Sequence, residues 1–157
     1  MRKARGDIWH WHDADWWIVI PTNIGWKRNG ENVMGRGLAR EAARRFDGLA
    51  LWYGLHCRDH GASAGVVTWP LHHLIMFPVK PLREDAPWLS WQQKADLGLI
   101  QRSAWELSQL KLRGFLQGAP IAVPAVGCGN GRLKLEQVEP ILAAYLDNDF
   151  TLVTFAA

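Results

Sequence analysis

Three glycines, Gly127, Gly129 and Gly131, lie within five residues at the end of an apolar stretch that begins at Ile121. An amphipathic pattern follows the glycines, so the order is strand, glycine-rich loop and helix. Such a loop lets backbone N–H groups approach a ligand, and a helix start carries a positive dipole end. Together they favour a phosphate or diphosphate. The alternative is a tight strand-to-helix turn in which the glycines only supply positive φ angles.

A second glycine-rich helix start lies earlier in the chain. Gly35 and Gly37 precede a helical pattern that continues to Phe46, and Arg36 stands between them. Backbone donors at this start, with the cation of Arg36, would also suit an anion. The alternative for the arginines of this helix is a solvated face.

The segment before this helix contains a strand end and a loop. An apolar run at 16–20 predicts a strand covered on both faces, and it ends in polar residues up to Asn23. Ligands gather at such carboxyl ends of strands in open α/β sheets. The pair Asn29-Gly30 is a strong tight-turn signal and predicts a small hairpin flap over 26–33.

The remaining pattern predicts alternating strands and helices. Trp and His alternate at 9–12, which predicts a half-buried strand, and further strands are predicted at 66–69, 74–80 and 150–155. Helices are predicted at 38–46, 49–58 and 136–147, and a capping box of Ser90 and Gln93 predicts a long helix that stops at Gly114. This arrangement indicates an α/β fold with a largely parallel sheet.

Composition limits the classes of protein. The 157 residues suit one domain over 1–157, because domains typically have about 100–150 residues. A net charge of +3 permits a polyanionic partner without requiring one. The N-terminus lacks a signal-peptide core and the apolar runs are too short to span a bilayer, so we expect a cytoplasmic protein with no membrane partner. We also expect a monomer.

Tryptophan is the compositional oddity, with ten residues. Several lie in polar surroundings, where flat aromatic faces would suit a nucleotide or single-stranded nucleic acid. The alternative is that most of them fill the core. The tryptophans in polar surroundings are Trp9, Trp11, Trp26, Trp88 and Trp91.

Histidine and cysteine give weaker signals. His56 and His60 have the four-residue spacing of metal ligands on a helix, but Cys57 does not share their face and no carboxylate motif accompanies them. We therefore expect two surface histidines and no metal. The two cysteines form no CxxC motif, which favours a reducing compartment, and no base is positioned by sequence to activate Cys128 as a nucleophile.

Four separated segments together resemble a macrodomain, the ADP-ribose-binding α/β/α fold. They are residues 6–8, 20–23, 33–39 and 126–131, and their order and spacing span almost the whole chain. Within the family, the Val-Met-Gly-x-Gly, Phe-Pro-x-Lys and Gly-Cys-Gly-Asn-Gly motifs resemble one branch. This branch contains the terminal ADP-ribose glycohydrolases and the bacterial antitoxins that remove ADP-ribose from DNA. The resemblance implies three layers around a central, mostly parallel mixed sheet of about six strands.

The resemblance also implies the roles of individual residues. Asp7 and Ile8 would meet the adenine, and Asn23 the distal ribose. No cofactor or metal is implied, since ADP-ribose would be ligand or product. The diphosphate and distal ribose would lie between two loops, formed by Val33, Met34, Gly35, Arg36, Gly37 and Leu38 and by Val126, Gly127, Cys128, Gly129, Asn130 and Gly131.

Lys80 matches the lysine that hydrolases of this branch use, so the resemblance implies that it is catalytic. A lysine amine attacks the anomeric carbon of a ribose only when it is unprotonated. Burial or a cationic neighbour must therefore lower its pKa from the reference value of about 10.4. Arg83 and Lys27 are the neighbours that the sequence suggests.

The residue at position 131 distinguishes between the possible substrates. Protein-directed members of the branch carry an acid where this chain has Gly131, and the DNA-directed antitoxins resemble the chain more closely there. We therefore expect an ADP-ribosyl glycohydrolase that acts on a modified macromolecule, preferably a DNA base, with ADP-ribose and ADP-ribosylated DNA or protein as partners. A non-catalytic ADP-ribose reader, a hydrolase of protein ADP-ribosylation and a phosphatase remain alternatives. The loop at 26–31, longer than in those relatives, would form a lid or grip a base.

Overall fold

The computed structural model describes residues 1–116 and 118–155. Its centre is a six-stranded sheet with the order β1-β6-β5-β2-β4-β3. All neighbouring strands are parallel except β3 and β4, which are antiparallel. The prediction of a mostly parallel mixed sheet is therefore confirmed. The strands are β1 Arg2–Arg5, β2 Trp17–Asn23, β3 Val67–Trp69, β4 Leu74–Lys80, β5 Ile121–Val123 and β6 Phe150–Thr154.

Helices cover both faces of this sheet and give it three layers. In β2, Ile18 and Ile20 pack in the layer of α1 to α3, whereas Trp17 and Val19 pack in the layer of α4 and α5. Burial on both faces explains why β2 is a continuous apolar run. The α-helices are α1 Ile8–Asp13, α2 Gly37–Arg45, α3 Leu49–His60, α4 Leu97–Leu112 and α5 Leu135–Tyr145, and short 3-10 helices lie at Gly61–Ser63, Pro70–His72 and Pro87–Gln92.

The strand predicted at 9–12 is wrong, because these residues belong to α1. The Asp7 side chain caps this helix by accepting a 3.0 Å hydrogen bond from the Trp9 backbone N–H. This hydrogen bond stabilises the start of a helix. The alternation of Trp and His covers only four residues, which is too short to determine a strand against such a cap. The first strand is instead Arg2–Arg5, whose basic and mostly exposed side chains carry no strand signal.

The hairpin predicted at 26–33 is also wrong. The turn at Asn29-Gly30 forms, with Gly30 at a φ of 91° and the Lys27 backbone N–H donating to Glu31 O at 2.7 Å. No strands flank the turn. The segment instead packs on α3, where the Asn32 backbone N–H donates to Ala50 O at 2.8 Å.

The long helix α4 begins later than predicted. Asp96 caps it by accepting a 2.9 Å hydrogen bond from the Leu99 N–H, so the predicted capping box of Ser90 and Gln93 is wrong. Ser90 lies in the 3-10 helix Pro87–Gln92, and its hydroxyl accepts the Arg83 N–H at 3.0 Å. Among the described residues, every helix is too short or too polar to cross a membrane.

Candidate functional site

A cleft of about 610 Å³ lies at the carboxyl ends of the parallel strands. Its volume is within the range of about 300–1,000 Å³ that is typical of ligand pockets. The strand ends meet there because parallel strands present their carboxyl ends at one edge of a sheet. Most of the predicted site residues line this cleft, namely Asp7, Ile8, Asn23, Val33, Gly35, Arg36, Gly37, Leu38, Lys80, Gly127, Cys128, Gly129, Asn130 and Gly131.

Two predicted residues, Met34 and Val126, are buried behind the cleft instead of lining it. Met34 packs in the layer of α1 to α3, and Val126 packs in the layer of α4 and α5. Each side chain therefore anchors its glycine-rich loop to the core from behind. A direct contact of either side chain with a ligand is not supported by this placement.

The two glycine-rich loops approach each other closely. Gly37 has a φ of 58°, and a Cβ there would lie 3.3 Å from Asn130 Nδ2. In the second loop, a Cβ at Gly131 would lie only 2.4 Å from Gly127 O, whereas one at Gly129 would meet nothing within 4 Å. Gly131 is thus required by the folding of the loop itself, and Gly129 is open towards the cleft.

The helices after the loops are placed differently from each other. At α2, which follows Gly35 and Arg36 directly, the N-cap residue makes no side-chain capping hydrogen bond. The second loop is followed by three further residues before α5 begins at Leu135, and the Lys134 N–H already donates to Gln137 Oε1 at 3.1 Å. The first residues of both helices, Gly37 and Leu135, line the cleft, and the start of α2 has no side-chain cap there.

Asn23 holds the first loop in place. Its Nδ2 donates to Val33 O at 2.9 Å, and its Oδ1 accepts from the Gly25 N–H at 2.9 Å. The buried Asn32 donates from its Nδ2 to Asn23 Oδ1 at 3.1 Å and to Gly25 O at 2.8 Å. An asparagine amide has two donor hydrogens, so Asn23 keeps one for a ligand. Sequence reasoning missed Asn32, whose only signal is a polar residue beside the apolar pair Val33-Met34.

Lys80 ends β4, and its Cα is in register with that of Asn23 on β2. Its Nζ donates a 2.7 Å hydrogen bond to the backbone oxygen of Trp91. Partial burial lowers the pKa of Lys80, and the positive charges of Arg132 and Arg36 lower this pKa further. Both effects favour the neutral amine over its charged form.

The cationic neighbours predicted for Lys80 were wrong. Arg83 pairs with Asp85 at 3.1 Å, and Lys27 lies 3.9 Å from Glu31. Sequence reasoning missed Arg132, which donates from Nη2 to Gln92 O at 3.3 Å and has a φ of 65°. Its position directly after the glycine-rich loop was the available signal.

Arg36 also contacts an aromatic ring of the cleft. Its guanidinium carbon lies 5.1 Å from the centroid of the Trp91 ring, within cation–π distance. Trp91 lines the cleft as the tryptophan pattern suggested. Trp9 also lines the cleft, but it is only 3% exposed and packs mainly in the core.

The other candidate residues have no reactive environment. Within 1–116 and 118–155, no group of three or more His, Cys, Asp or Glu side chains is arranged to hold a metal ion. His60 Nδ1 bonds to the backbone oxygen of His56 at 2.8 Å. Burial raises the pKa of the Cys57 thiol to about 12 and also raises the pKa of Cys128, so neither favours a thiolate.

Comparison with known proteins identifies the fold. No protein-family model matches the sequence. The macrodomain of Mycobacterium tuberculosis DarG superposes with a TM-score of 0.73 and 26% identity, covering 99% of this chain and 97% of that one. The chain is a macrodomain. A second solved structure, Thermosipho africanus DarTG in complex with ADP-ribose, has a TM-score of 0.68 and 19% identity, covering 99% of this chain and 42% of that one.

A curated relative adds a named activity. The macrodomain is 30% identical over 123 residues to a protein of Mycobacterium tuberculosis named DNA ADP-ribosyl glycohydrolase, covering 74% of this chain. It spans about a third of that relative's length, since the matched share is 32%. The predicted fold and the predicted resemblance to DNA-directed macrodomains are confirmed, and the roles of the individual site residues stay predictions.

Proposed function

We propose that this macrodomain is a glycohydrolase that removes ADP-ribose from modified DNA, with Lys80 as the nucleophile. The observation that carries the proposal is the environment of Lys80, a half-buried amine at the cleft whose pKa is lowered by burial and by Arg132 and Arg36. The name of the curated relative and the ADP-ribose complex of a DarTG protein support the choice of reaction.

The order of strands supports a linear arrangement of the ligand. Asp7 and Ile8 follow β1, the glycine-rich loop follows β5, and Asn23 and Lys80 end β2 and β4. In the order β1-β6-β5-β2-β4, these points are spread over four strand spacings, or about 19 Å at ~4.8 Å each. An adenosine end at β1, a diphosphate at β5 and a distal ribose at β2 and β4 would fit this length.

The chemistry follows from a neutral lysine beside the distal ribose. The Lys80 nitrogen attacks the anomeric carbon, the bond from that carbon to the nucleobase breaks, and the base leaves with the electron pair. The surplus proton of the attacking amine passes to the base through water. Water then attacks the same carbon, releases ADP-ribose and restores the free amine.

Gly131 supports DNA rather than protein as the substrate. Protein-directed relatives carry an acid at this position, whereas a Cβ here would meet Gly127 O at 2.4 Å and the Ala95 Cβ at 2.7 Å. This loop conformation therefore has no room for the acid, and the reaction relies on Lys80. ADP-ribose and ADP-ribosylated DNA are the proposed partners, while a monomeric state and a cytoplasmic location stay predictions.

Incubation with matched substrates tests this function. We expect release of ADP-ribose from an ADP-ribosylated oligonucleotide, with little release from an ADP-ribosylated protein. Release from the protein alone would select the protein-directed alternative. Calorimetric binding of ADP-ribose without turnover of either conjugate would select the reader module, which the missing acid at Gly131 favours, and absence of binding would reject all three.

A further inference from the structure

A second pocket of about 420 Å³ lies beside the cleft, and it combines positive charge with aromatic rings. Trp88 is 52% exposed, and no acidic side chain is among the described residues that line the pocket. Lys27 Nζ makes a long ion pair of 3.9 Å with Glu31 Oε2, and the two side chains are 46% and 40% exposed. The lining residues are Trp26, Lys27, Arg28, Arg58, Pro87 and Trp88.

The walls of this pocket are packed against the body of the macrodomain. A Cβ at Gly25 would lie 2.0 Å from Pro87 O and 2.5 Å from Ser90 Oγ, so the loop after β2 touches the 3-10 helix Pro87–Gln92 directly. On the other side, a Cβ at Gly54 of α3 would lie 2.0 Å from Gly30 O. The loop at 26–31 is therefore packed against the body of the macrodomain on two sides.

The 3-10 helix Pro87–Gln92 joins the pocket to the cleft. Trp88 lines the pocket and Trp91 lines the cleft. Side chains three residues apart eclipse in a 3-10 helix, and they are separated by roughly 6 Å along its axis. The Trp91 carbonyl also binds Lys80 Nζ. Trp88 of the pocket thus lies one helical turn from Trp91, whose carbonyl accepts the hydrogen bond of Lys80.

We propose that this pocket binds the nucleotides next to the modified base in single-stranded DNA; this inference rests on the proposed function. Exposed tryptophans stack on unpaired bases of any sequence, and lysine and arginine neutralise the phosphates between them. A protein substrate offers neither repeated bases nor a row of phosphates. The pocket therefore extends the site from the ADP-ribose to the polymer that carries it.

Two substrates that carry the same modified base distinguish the contribution of this pocket from that of the catalytic site. One is an ADP-ribosylated oligonucleotide, and the other is the corresponding ADP-ribosylated nucleoside, which has no flanking nucleotides. The variants are Trp88→Ala and Arg58→Ala. The matched control is Trp105→Ala on α4, because Trp105 is 50% exposed and lies outside both linings.

We expect wild type to prefer the oligonucleotide, and Trp88→Ala to lower its kcat/KM on that substrate at least about fivefold through KM, the usual effect of losing one stacked base. Arg58→Ala should weaken binding of the oligonucleotide and reduce its salt dependence. Neither variant should change the rate on the nucleoside, and Trp105→Ala should change neither rate. Equal losses on both substrates, or no loss on the oligonucleotide, would overturn the proposal.

Failure of the proposed function would give a different result. If wild type releases ADP-ribose from neither substrate, the glycohydrolase assignment fails, and the pocket is then tested by fluorescence anisotropy with an unmodified, labelled single-stranded oligonucleotide. Binding that Trp88→Ala weakens at least about fivefold would support the pocket as a DNA site. Equal binding of this oligonucleotide by wild type and Trp88→Ala would overturn the proposed DNA site. In the hydrolysis assay, faster release from an ADP-ribosylated protein than from the oligonucleotide would also overturn it.

Discussion

Lys80 Nζ and the Trp91 carbonyl oxygen are joined by a 2.7 Å hydrogen bond at the end of the cleft. The bond holds the Lys80 amine against the 3-10 helix Pro87–Gln92. On the same side of the site, the Arg36 guanidinium lies over the Trp91 ring of this helix. A carbonyl accepts from both an amine and an ammonium group, and it binds the charged donor more strongly. The contact therefore holds the nitrogen in place, whereas burial and the neighbouring arginines oppose its protonation and lower the pKa of Lys80.

The pH dependence of hydrolysis should report this charge. Only neutral Lys80 is nucleophilic, so kcat/KM should rise with pH, and the midpoint of the rise should lie below the reference pKa of about 10.4 because the pKa of Lys80 is lowered. Arg132→Asn removes a positive charge, which should raise the Lys80 pKa and move the rising limb to higher pH. Asparagine suits the φ of 65° at this position.

Arg132→Lys is the control for this profile, because it keeps the charge. Its rising limb should remain near that of the wild type. Thermal unfolding of both variants shows whether loss of the Arg132 contact with Gln92 O disturbs the fold. A limb that does not move in Arg132→Asn would contradict the assignment of Lys80 as the titrating group.

Gly131 and Gly129 should respond differently to the same added methyl group. Gly131→Ala places a Cβ 2.4 Å from Gly127 O and should destabilise the fold by about 1–3 kcal/mol, the usual cost of overpacking. Gly129→Ala meets nothing within 4 Å and should change the free energy of unfolding by no more than about 0.5 kcal/mol. Urea denaturation measures both, and equal stability of the two variants would refute the close packing of this loop.

Asn32 should support the site from a distance. Its Nδ2 donates to Asn23 O, Asn23 Oδ1 and Gly25 O at 2.8–3.1 Å. Asn32→Ala should cost about 1–3 kcal/mol in unfolding free energy because buried acceptors lose their donor, and it should weaken ADP-ribose binding by freeing Asn23.

Asn29→Ala is the matched substitution in the same loop. Asn29 is exposed and bonds only to Glu31 among the described residues. It should change the unfolding free energy by no more than about 0.5 kcal/mol and leave ADP-ribose binding unchanged in calorimetry. Similar losses in the two variants would show that Asn32 has no special part in holding the loop.

Much of the fold could be predicted because its signals are local and repeated. The run that forms β2 is apolar on both faces, and the pattern of α2 ends within one residue of the observed Arg45. The glycine-rich loops and the ends of β2 and β4 could be assigned to one cleft because parallel strands bring their carboxyl ends together.

Short or tertiary features could not be predicted in this way. Alternation at 9–12 resembles a strand, but the Asp7 cap turns the residues into α1. Ser90 has the sequence context of a helix cap, yet it is buried and holds Arg83 N. The cations near Lys80 come from Arg36 and Arg132, which are far from it in sequence, so their effect on its pKa depends on the folded chain.

The central claim is that Lys80 breaks the bond between ADP-ribose and DNA, and single-turnover release of ADP-ribose from an ADP-ribosylated oligonucleotide tests it most directly. Wild type should release ADP-ribose, and Lys80→Ala should be at least about a hundredfold slower while calorimetry still detects ADP-ribose binding. Lys80→Arg keeps the charge without a neutral amine and should be equally impaired. Release by either variant at the wild-type rate would contradict this account.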